Sequence, residues 1–384
     1  MPASVVAFTP VYLLAFHILF HIVLALNSAP IRRVMFVPLS AILLYLLLRT
    51  STGHLAQNWL TGHMLVIELL TASDYLLVTV DVHKDLRQSA ILAISEASFS
   101  DRLKWALKLT LNPRGIGWLH EPSHALPPKP TASRSSFMIS QGIHLAFHTI
   151  LLLAVGRAIT SVPTLQRGSH GMGSSGWSLR LLSVFLLGTS LYTSACLRGC
   201  IFRLLFVGLK VWQPEECPYL FDSVQHAYTV RNFWGKFWHQ ILRRLLLSHA
   251  RAFAHRVALL RPGSVMSAYV QLFVAFFLSG VIHHLGQYML TRDYLNPFSR
   301  GPLIFFLAQA VVITLEDIVI ALGRKVGLKS KGWKVLGFIW VLAWFTLSVP
   351  VWMDQQIAAG FMDAKFKGGM SLKFVALGDL YLDM

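Results

Sequence analysis

Charge is scarce in this chain of 384 residues: Asp, Glu, Lys and Arg together supply 13% of it, with only 17 acidic side chains against 34 basic ones. Cysteine is scarcer still, present at Cys196, Cys200 and Cys217 alone. Three thiols cannot build a disulfide framework, and no pair has zinc-knuckle spacing with histidines nearby, so both scaffolds are excluded. No segment repeats at a fixed period and no Gly/Ser linker separates two halves, so residues 1–384 read as a single domain. A soluble chain of this length ordinarily forms roughly two or three domains. With 55% hydrophobic residues and a mean hydropathy of +0.57, that reading falls away, and disorder with it. The net charge of +17 suits either nucleic acid or the anionic cytoplasmic face of a bilayer. Hydropathy decides for the bilayer, and no nucleic-acid partner is expected.

Long apolar runs are what the chain has in abundance. A spanning helix needs about 20 mostly apolar residues, because unpaired backbone groups are too costly in hydrocarbon. On that criterion the expected fold is all-α and polytopic, an integral membrane protein with about eight transmembrane helices. They fall near 5–26, 34–48, 63–80, 137–158, 177–197, 265–290, 302–323 and 333–352. The first basic residue, Arg32, follows the first run, so no basic signal-peptide region precedes it and the run is expected to stay as an anchor. The positive-inside bias places Arg32 and Arg33 in the cytosol. Alternation then makes 27–33, 81–136, 198–264 and 324–334 cytosolic, gathering 25 of the 34 Lys and Arg residues on one side with both termini lumenal.

Two of those cytosolic segments, 81–136 and 198–264, are too long to be connectors. The first holds an apolar-basic run at 105–111, then Asn112-Pro-Arg-Gly-Ile-Gly-Trp118 and a proline-rich exit at Pro127, Pro128 and Pro130. This reads as an interfacial amphipathic helix followed by a turn. The second holds Phe233-Trp-Gly-Lys-Phe-Trp-His-Gln-Ile-Leu-Arg-Arg244, whose aromatics and cations suit the headgroup level. An interfacial belt without chemistry is the plain alternative.

Sixteen histidines are many for this length, and several lie inside apolar runs, where an ionisable group by default marks function. His17 with His21, and His144 with His148, are i, i+4 pairs that each share a helix face. That spacing suits metal ligands and raises a membrane metal-dependent oxidase as a rival. Such an enzyme needs His-x-x-His-His boxes, however, and Gly280 stands three positions before His283, so hydrogen bonds between helices are the preferred reading and no metal is expected. His283 and His284 sit well inside the sixth run, too deep to snorkel. Burial favours the uncharged ring there, the state a general base requires. Ser279 and Gly280, one turn earlier, leave a small surface for a substrate or another helix. Glu68, Asp74, Glu316 and Asp317 could serve a proton-coupled transporter, but they lie toward helix ends and no inverted repeat is visible, so pairing with nearby cations is expected instead.

The segment Tyr228-Thr-Val-Arg-Asn-Phe-Trp-Gly-Lys-Phe-Trp-His-Gln240, followed by Ser279-Gly-Val-Ile-His283 in a membrane span, resembles the membrane-bound O-acyltransferase superfamily. More narrowly it is similar to the fungal wax-synthase-like branch, several members of which acetylate terpenoid or meroterpenoid alcohols. The 112–118 segment resembles another stretch of that branch. The resemblance implies an acyl-CoA-dependent enzyme of the endoplasmic reticulum, with acetyl-CoA as co-substrate and a hydrophobic alcohol as acceptor. A long-chain wax or steryl ester synthase is the alternative within the family. By the same resemblance the intramembrane catalytic histidine maps onto His283, with His284 a neighbour about 100° away around the helix. The second polar position falls at Trp238-His239, with Asn232 earlier, which makes His239 the second catalytic candidate. Arg231, Asn232, Trp234, Lys236, Trp238, Arg243 and Arg244 become candidates for holding the donor, whose phosphates the cationic cytosolic segments attract.

Overall fold

A computed structural model describes residues 5–88, 94–291, 299–327 and 332–366. Its helices, in chain order, are α1 (Pro10–Ala25), α2 (Ala29–Arg49), α3 (Leu55–Ser73), α4 (Val82–Asp85), α5 (Phe99–Thr110), α6 (Arg134–Ser161) and α7 (Trp177–Gly208). There follow α8 (Val230–Asn232), α9 (Arg243–Ala252), α10 (Val265–Thr291), α11 (Gly301–Lys325), α12 (Trp333–Ala358) and α13 (Phe361–Phe366). The sheet among the described residues is one parallel pairing of β1 (Val6–Ala7) with β2 (Thr50–Ser51). The fold is all-α and membrane-spanning, as expected. Six helices, α2, α6, α7, α10, α11 and α12, are long and apolar enough to cross a bilayer. Eight is therefore not the number that the structure supports on this criterion: α1 is apolar but only 16 residues long. Nor is α3 among the six, since it carries Asn58, His63 and Glu68 along its 19 residues.

The described residues sort into two compact units that interleave along the chain, 5–122 with 241–291, and 123–240 with 299–366. In the first, α1, α2, α3 and α10 enclose a core in which Phe16, Phe20, Leu24, Leu39, Leu43, Leu46 and Leu65 are fully buried. The expected amphipathic helix is α5. Ser98 caps it by accepting from the Asp101 amide, and Trp105 and Leu109 turn into the core while Trp105 Nε1 donates to the Leu86 carbonyl at 2.9 Å. The turn after it is held by Asn112, whose side chain accepts from the Ile116 amide and donates to the Ile116 carbonyl. Gly115 and Gly117 have φ of +64° and +77°, so this turn needs glycine at both.

The second unit contains α6 and α7 packed side by side, with α8, α11, α12 and α13. Here α7 corrects a boundary: it runs to Gly208, eleven residues beyond the expected end at Leu197. Arg198 and Arg203 read in sequence as loop cations, yet Arg203 is buried, its Nε donating to Gln141 Oε1 of α6 at 2.7 Å. The outward sides of α2, α11 and α12 carry exposed Val34, Val37, Ile318, Val319, Leu336 and Ile339, the surface a helix presents to lipid.

Candidate active site

His283 lies on α10 in the first unit. Its Nδ1 donates to the Ser279 carbonyl at 2.8 Å, a bond within its own helix. In an uncharged imidazole that donation puts the proton on Nδ1 and makes Nε2 the basic nitrogen. Against it stands His63 of α3, ring centroids 5.1 Å apart and edge-on at 76°. His63 repeats the same device, Nδ1 donating to the Trp59 carbonyl at 2.6 Å, while its Nε2 is buried with no hydrogen-bond partner. A buried acceptor left unmade costs about 1–3 kcal/mol, a cost concentrated beside the candidate base.

Two glycines make this approach possible. A Cβ on Gly62 would lie 2.8 Å from the Gly286 carbonyl oxygen, and one on Gly286 only 2.3 Å from His63 Nδ1. Small residues let helix backbones meet closely in a membrane, and here the closeness sets an imidazole of α3 onto the turn of α10 that carries His283. Sequence reasoning missed His63. The available signal was the glycine one position before it, paired with Gly286 three residues after His283, but their meeting is long-range.

Farther along the first unit, Arg244 forms an ion pair with Asp74, which is fully buried and also accepts from Thr79 Oγ1 at 3.1 Å. The Arg244 guanidinium sits 4.8 Å over the Tyr75 ring. Asp74 thus finds the cation expected for it. Arg243 stands beside it at the start of α9. His120, in the turn region outside the spans, is pushed down to about 4, first by burial and then by the charge of Arg244.

The aromatic segment lies in the second unit, up to Gln240. Thr229 caps α8 by accepting from the Asn232 amide at 3.0 Å, and the helix widens at once into a π-turn, Phe233–Phe237. Such turns recur at functional sites. It closes with the Trp238 amide donating to the Phe233 carbonyl at 2.7 Å. Trp238 stacks on Phe233 at 5.5 Å, and His239 lies 6.1 Å from the Phe221 ring, which in turn is 4.5 Å from Tyr192 of α7. Trp234 and Trp344 both donate to Gln309 Oε1, at 3.3 and 2.8 Å. Arg231 forms a two-pronged ion pair with Asp317. Glu316 differs from expectation: instead of a cation it holds the amides of Val230 and Arg231, at 2.7 and 3.1 Å, and the Trp340 indole N–H at 2.8 Å. These bonds anchor the start of α8 to α11 and satisfy amides that its first turn leaves over. Lys236 is exposed.

The other histidine pairs behave differently from each other. His21 bridges helices as expected, its Nε2 bonding to Thr110 Oγ1 of α5 at 2.8 Å. His144 and His148 do not: each has a buried Nδ1 without a hydrogen-bond partner, and their rings instead contact Tyr219 at 5.6 Å and Tyr192 at 6.0 Å. Among the described residues, no three His, Cys, Asp or Glu side chains stand close enough to share a metal ion.

Comparison with known proteins places this geometry. Residues 217–308, which include both the aromatic segment and His283, match the model of the membrane bound O-acyl transferase family. The acetyltransferase ple2 of Rhodocybe pseudopiperita is 33% identical over 97% of this chain and 96% of its own length. The chain belongs to that family. Acetyltransferase eriL of Hericium erinaceus is 34% identical over 88% of each chain, and acetyltransferase atnC of an Arthrinium species 32% identical over 70% and 67%. No solved structure matches the chain. Membership makes this O-acyl transferase an enzyme of the bilayer that takes its acyl group from an acyl-CoA donor. Its matched segment crosses the division between the two units after Gln240, so one continuous stretch contributes the aromatic turn to one unit and His283 to the other.

Proposed function

We propose that this enzyme transfers acetyl from acetyl-CoA to a hydroxyl of a hydrophobic, terpenoid-like alcohol in secondary metabolism, with His283 as general base. The observation that carries the assignment is His283 itself: an imidazole inside a spanning helix of the matched segment, with its Nδ1 proton given to Ser279 so that Nε2 is the proton acceptor. A thioester is already activated, so the chemistry is one displacement. His283 Nε2 takes the hydroxyl proton as the oxygen attacks the acyl carbon; the tetrahedral intermediate collapses by breaking the C–S bond, and the coenzyme A thiolate leaves and is protonated. No acyl-enzyme and no metal is required.

His239 and the π-turn around it serve the donor, orienting the thioester or stabilising its oxyanion. Lys236, exposed in that turn, and Arg243 offer charge to the phosphates. Arg231 and Arg244, already paired with Asp317 and Asp74, have only part of their charge to offer the phosphates. Acetyl rather than long-chain transfer is supported by relatives that are named acetyltransferases. A lipophilic acceptor entering from the bilayer and a polar donor entering from the cytosol explain why the catalyst is embedded in a membrane, with the endoplasmic reticulum as its site and the two units acting as one enzyme. Metabolite profiles of a host with and without the chain test the reading. A new product heavier by one acetyl group, labelled when acetyl-CoA is labelled, is expected. Label in long-chain esters alone would replace the acetyl assignment by a wax or steryl ester synthase.

A further inference from the structure

The second unit buries a cation that has no acid. Arg203 of α7 is 6% exposed, and no carboxylate lies within ion-pair distance of it among the described residues. Its partners are neutral: Gln141 Oε1 at 2.7 Å, the Cys200 sulfur at 3.6 Å, and the Tyr219 ring at 5.3 Å from the guanidinium carbon. A thiol and a ring face are weak acceptors for five N–H donors. The residue that holds the guanidinium is also short of acceptors, since Gln141 is fully buried and its Nε2 has no hydrogen-bond partner. Two neighbouring side chains thus present donors and positive charge without an acceptor to match. An uncompensated buried charge is costly, and the group that completes this pair is an anion rich in acceptor oxygens.

The surroundings indicate how that anion is attached. From Tyr219 a run of rings leads through His144 and His148 to Tyr192, at centroid separations of 5.6, 6.5 and 6.0 Å, and on through Phe221 to His239, at 4.5 and 6.1 Å. Tyr192 and Arg203 are eleven residues apart on α7, which is about 16 Å at 1.5 Å per residue. The pantetheine arm of coenzyme A, counted from its diphosphate to its sulfur, has about twelve bonds and extends ~14 Å at ~3.5 Å per three bonds. The two lengths agree.

We propose that Arg203, held by Gln141, anchors the diphosphate of the acyl-CoA donor, with the arm lying along α7 and the thioester at the Tyr192–Phe221 rings, next to which His239 stands. This rests on the acyltransferase reading and names the donor's anchoring site within it. The arrangement explains why a guanidinium fork rather than an ammonium stands here, because the fork matches two phosphate oxygens at once.

The test compares Arg203→Gln and Arg203→Lys with wild type, using acetyl-CoA and S-acetylpantetheine, which lacks the diphosphate, in nanodiscs of zwitterionic lipid with and without an anionic phospholipid. Loss of one charge-assisted bond predicts a KM for acetyl-CoA raised ~10- to 100-fold in R203Q with kcat little changed, a smaller rise in R203K, and no change for S-acetylpantetheine. An unchanged KM for acetyl-CoA overturns the proposal. So does an equal rise for both thioesters, which means a packing role, or an effect seen only with anionic lipid, which means a headgroup site. Calorimetric titration of the purified proteins with coenzyme A needs no turnover: if wild type forms no ester, the acyltransferase reading fails, while weaker coenzyme A binding by R203Q than by wild type still upholds the anchor, and equal binding refutes it.

Discussion

Replacing Gly286 by alanine puts one methyl group where the structure has no room. The new Cβ would lie 2.3, 2.5 and 2.6 Å from Nδ1, Cε1 and Cγ of His63, whereas 3.4–4 Å is ordinary contact. Because Cγ is among the three, turning the outer edge of the ring away gives no relief; the imidazole base or the α3 backbone has to retreat by about 1 Å, as the shortfall from ordinary contact requires. Overpacking of this kind costs about 1–3 kcal/mol. The larger consequence is for the chemistry, since the displaced ring is the one packed edge-on against His283. A misplacement of about 1 Å near a reacting group can cost about a hundredfold in rate. Gly142→Ala and Gly188→Ala are the controls, because a Cβ at either meets nothing within 4 Å and alanine is the better helix former. Rates of acetyl transfer in microsomes, normalised to protein, and thermal unfolding in detergent would read both effects. The double variant Gly286→Ala with His63→Ala removes the overlap and should regain the lost stability without regaining full activity. Wild-type rate and stability in Gly286→Ala alone would refute the reasoning about how α3 and α10 meet.

Breaking the buried Asp74–Arg244 pair from one side, by Arg244→Met, should cost about 3–5 kcal/mol in thermal or denaturant unfolding, and adding Asp74→Leu should recover much of it. If Arg244→Met instead raises KM for acetyl-CoA with stability intact, the residue serves the donor rather than the fold. His120 gives a pH dependence. Its folded value, about 4, lies below the ordinary 6.5, so the uncharged ring stabilises the fold fully above pH 6.5, and that contribution is lost as pH falls from 6.5 through 4. The loss is at most about 3 kcal/mol before solvent screening reduces it. Unfolding temperatures of wild type and His120→Gln should converge across that interval, and parallel curves would contradict the assignment.

The spans of α10 and α11 were legible within two residues because each is apolar over most of its length and bounded by glycine, proline or charge, whereas α12 runs to Ala358, six residues past the expected end at Trp352. The end of α7 was not, since hydropathy counts Arg203 as a loop cation and cannot see Gln141 waiting for it on α6. For α3 the error was of another kind: the apolar count begins at His63, whereas the helix starts at Leu55 with polar residues that Ser51 and Thr52 satisfy through Asn58. Charge pairing was anticipated for Asp74 and Asp317, but Glu316 serves backbone amides and an indole, which composition does not reveal. In the site, His283 and the aromatic segment were recognisable as motifs. His63 depends on two glycines far apart in sequence, and the π-turn at Phe233–Phe237 has no period that marks it in advance.

The central claim is that the His283 imidazole removes the hydroxyl proton, and the most direct measurement is ester formation from labelled acetyl-CoA by His283→Ala, beside His284→Ala, in microsomes matched for protein abundance. The account predicts loss of product by at least about a hundredfold for His283→Ala, as removal of a general base entails, with His284→Ala retaining most of the wild-type rate. Full activity in His283→Ala would contradict it.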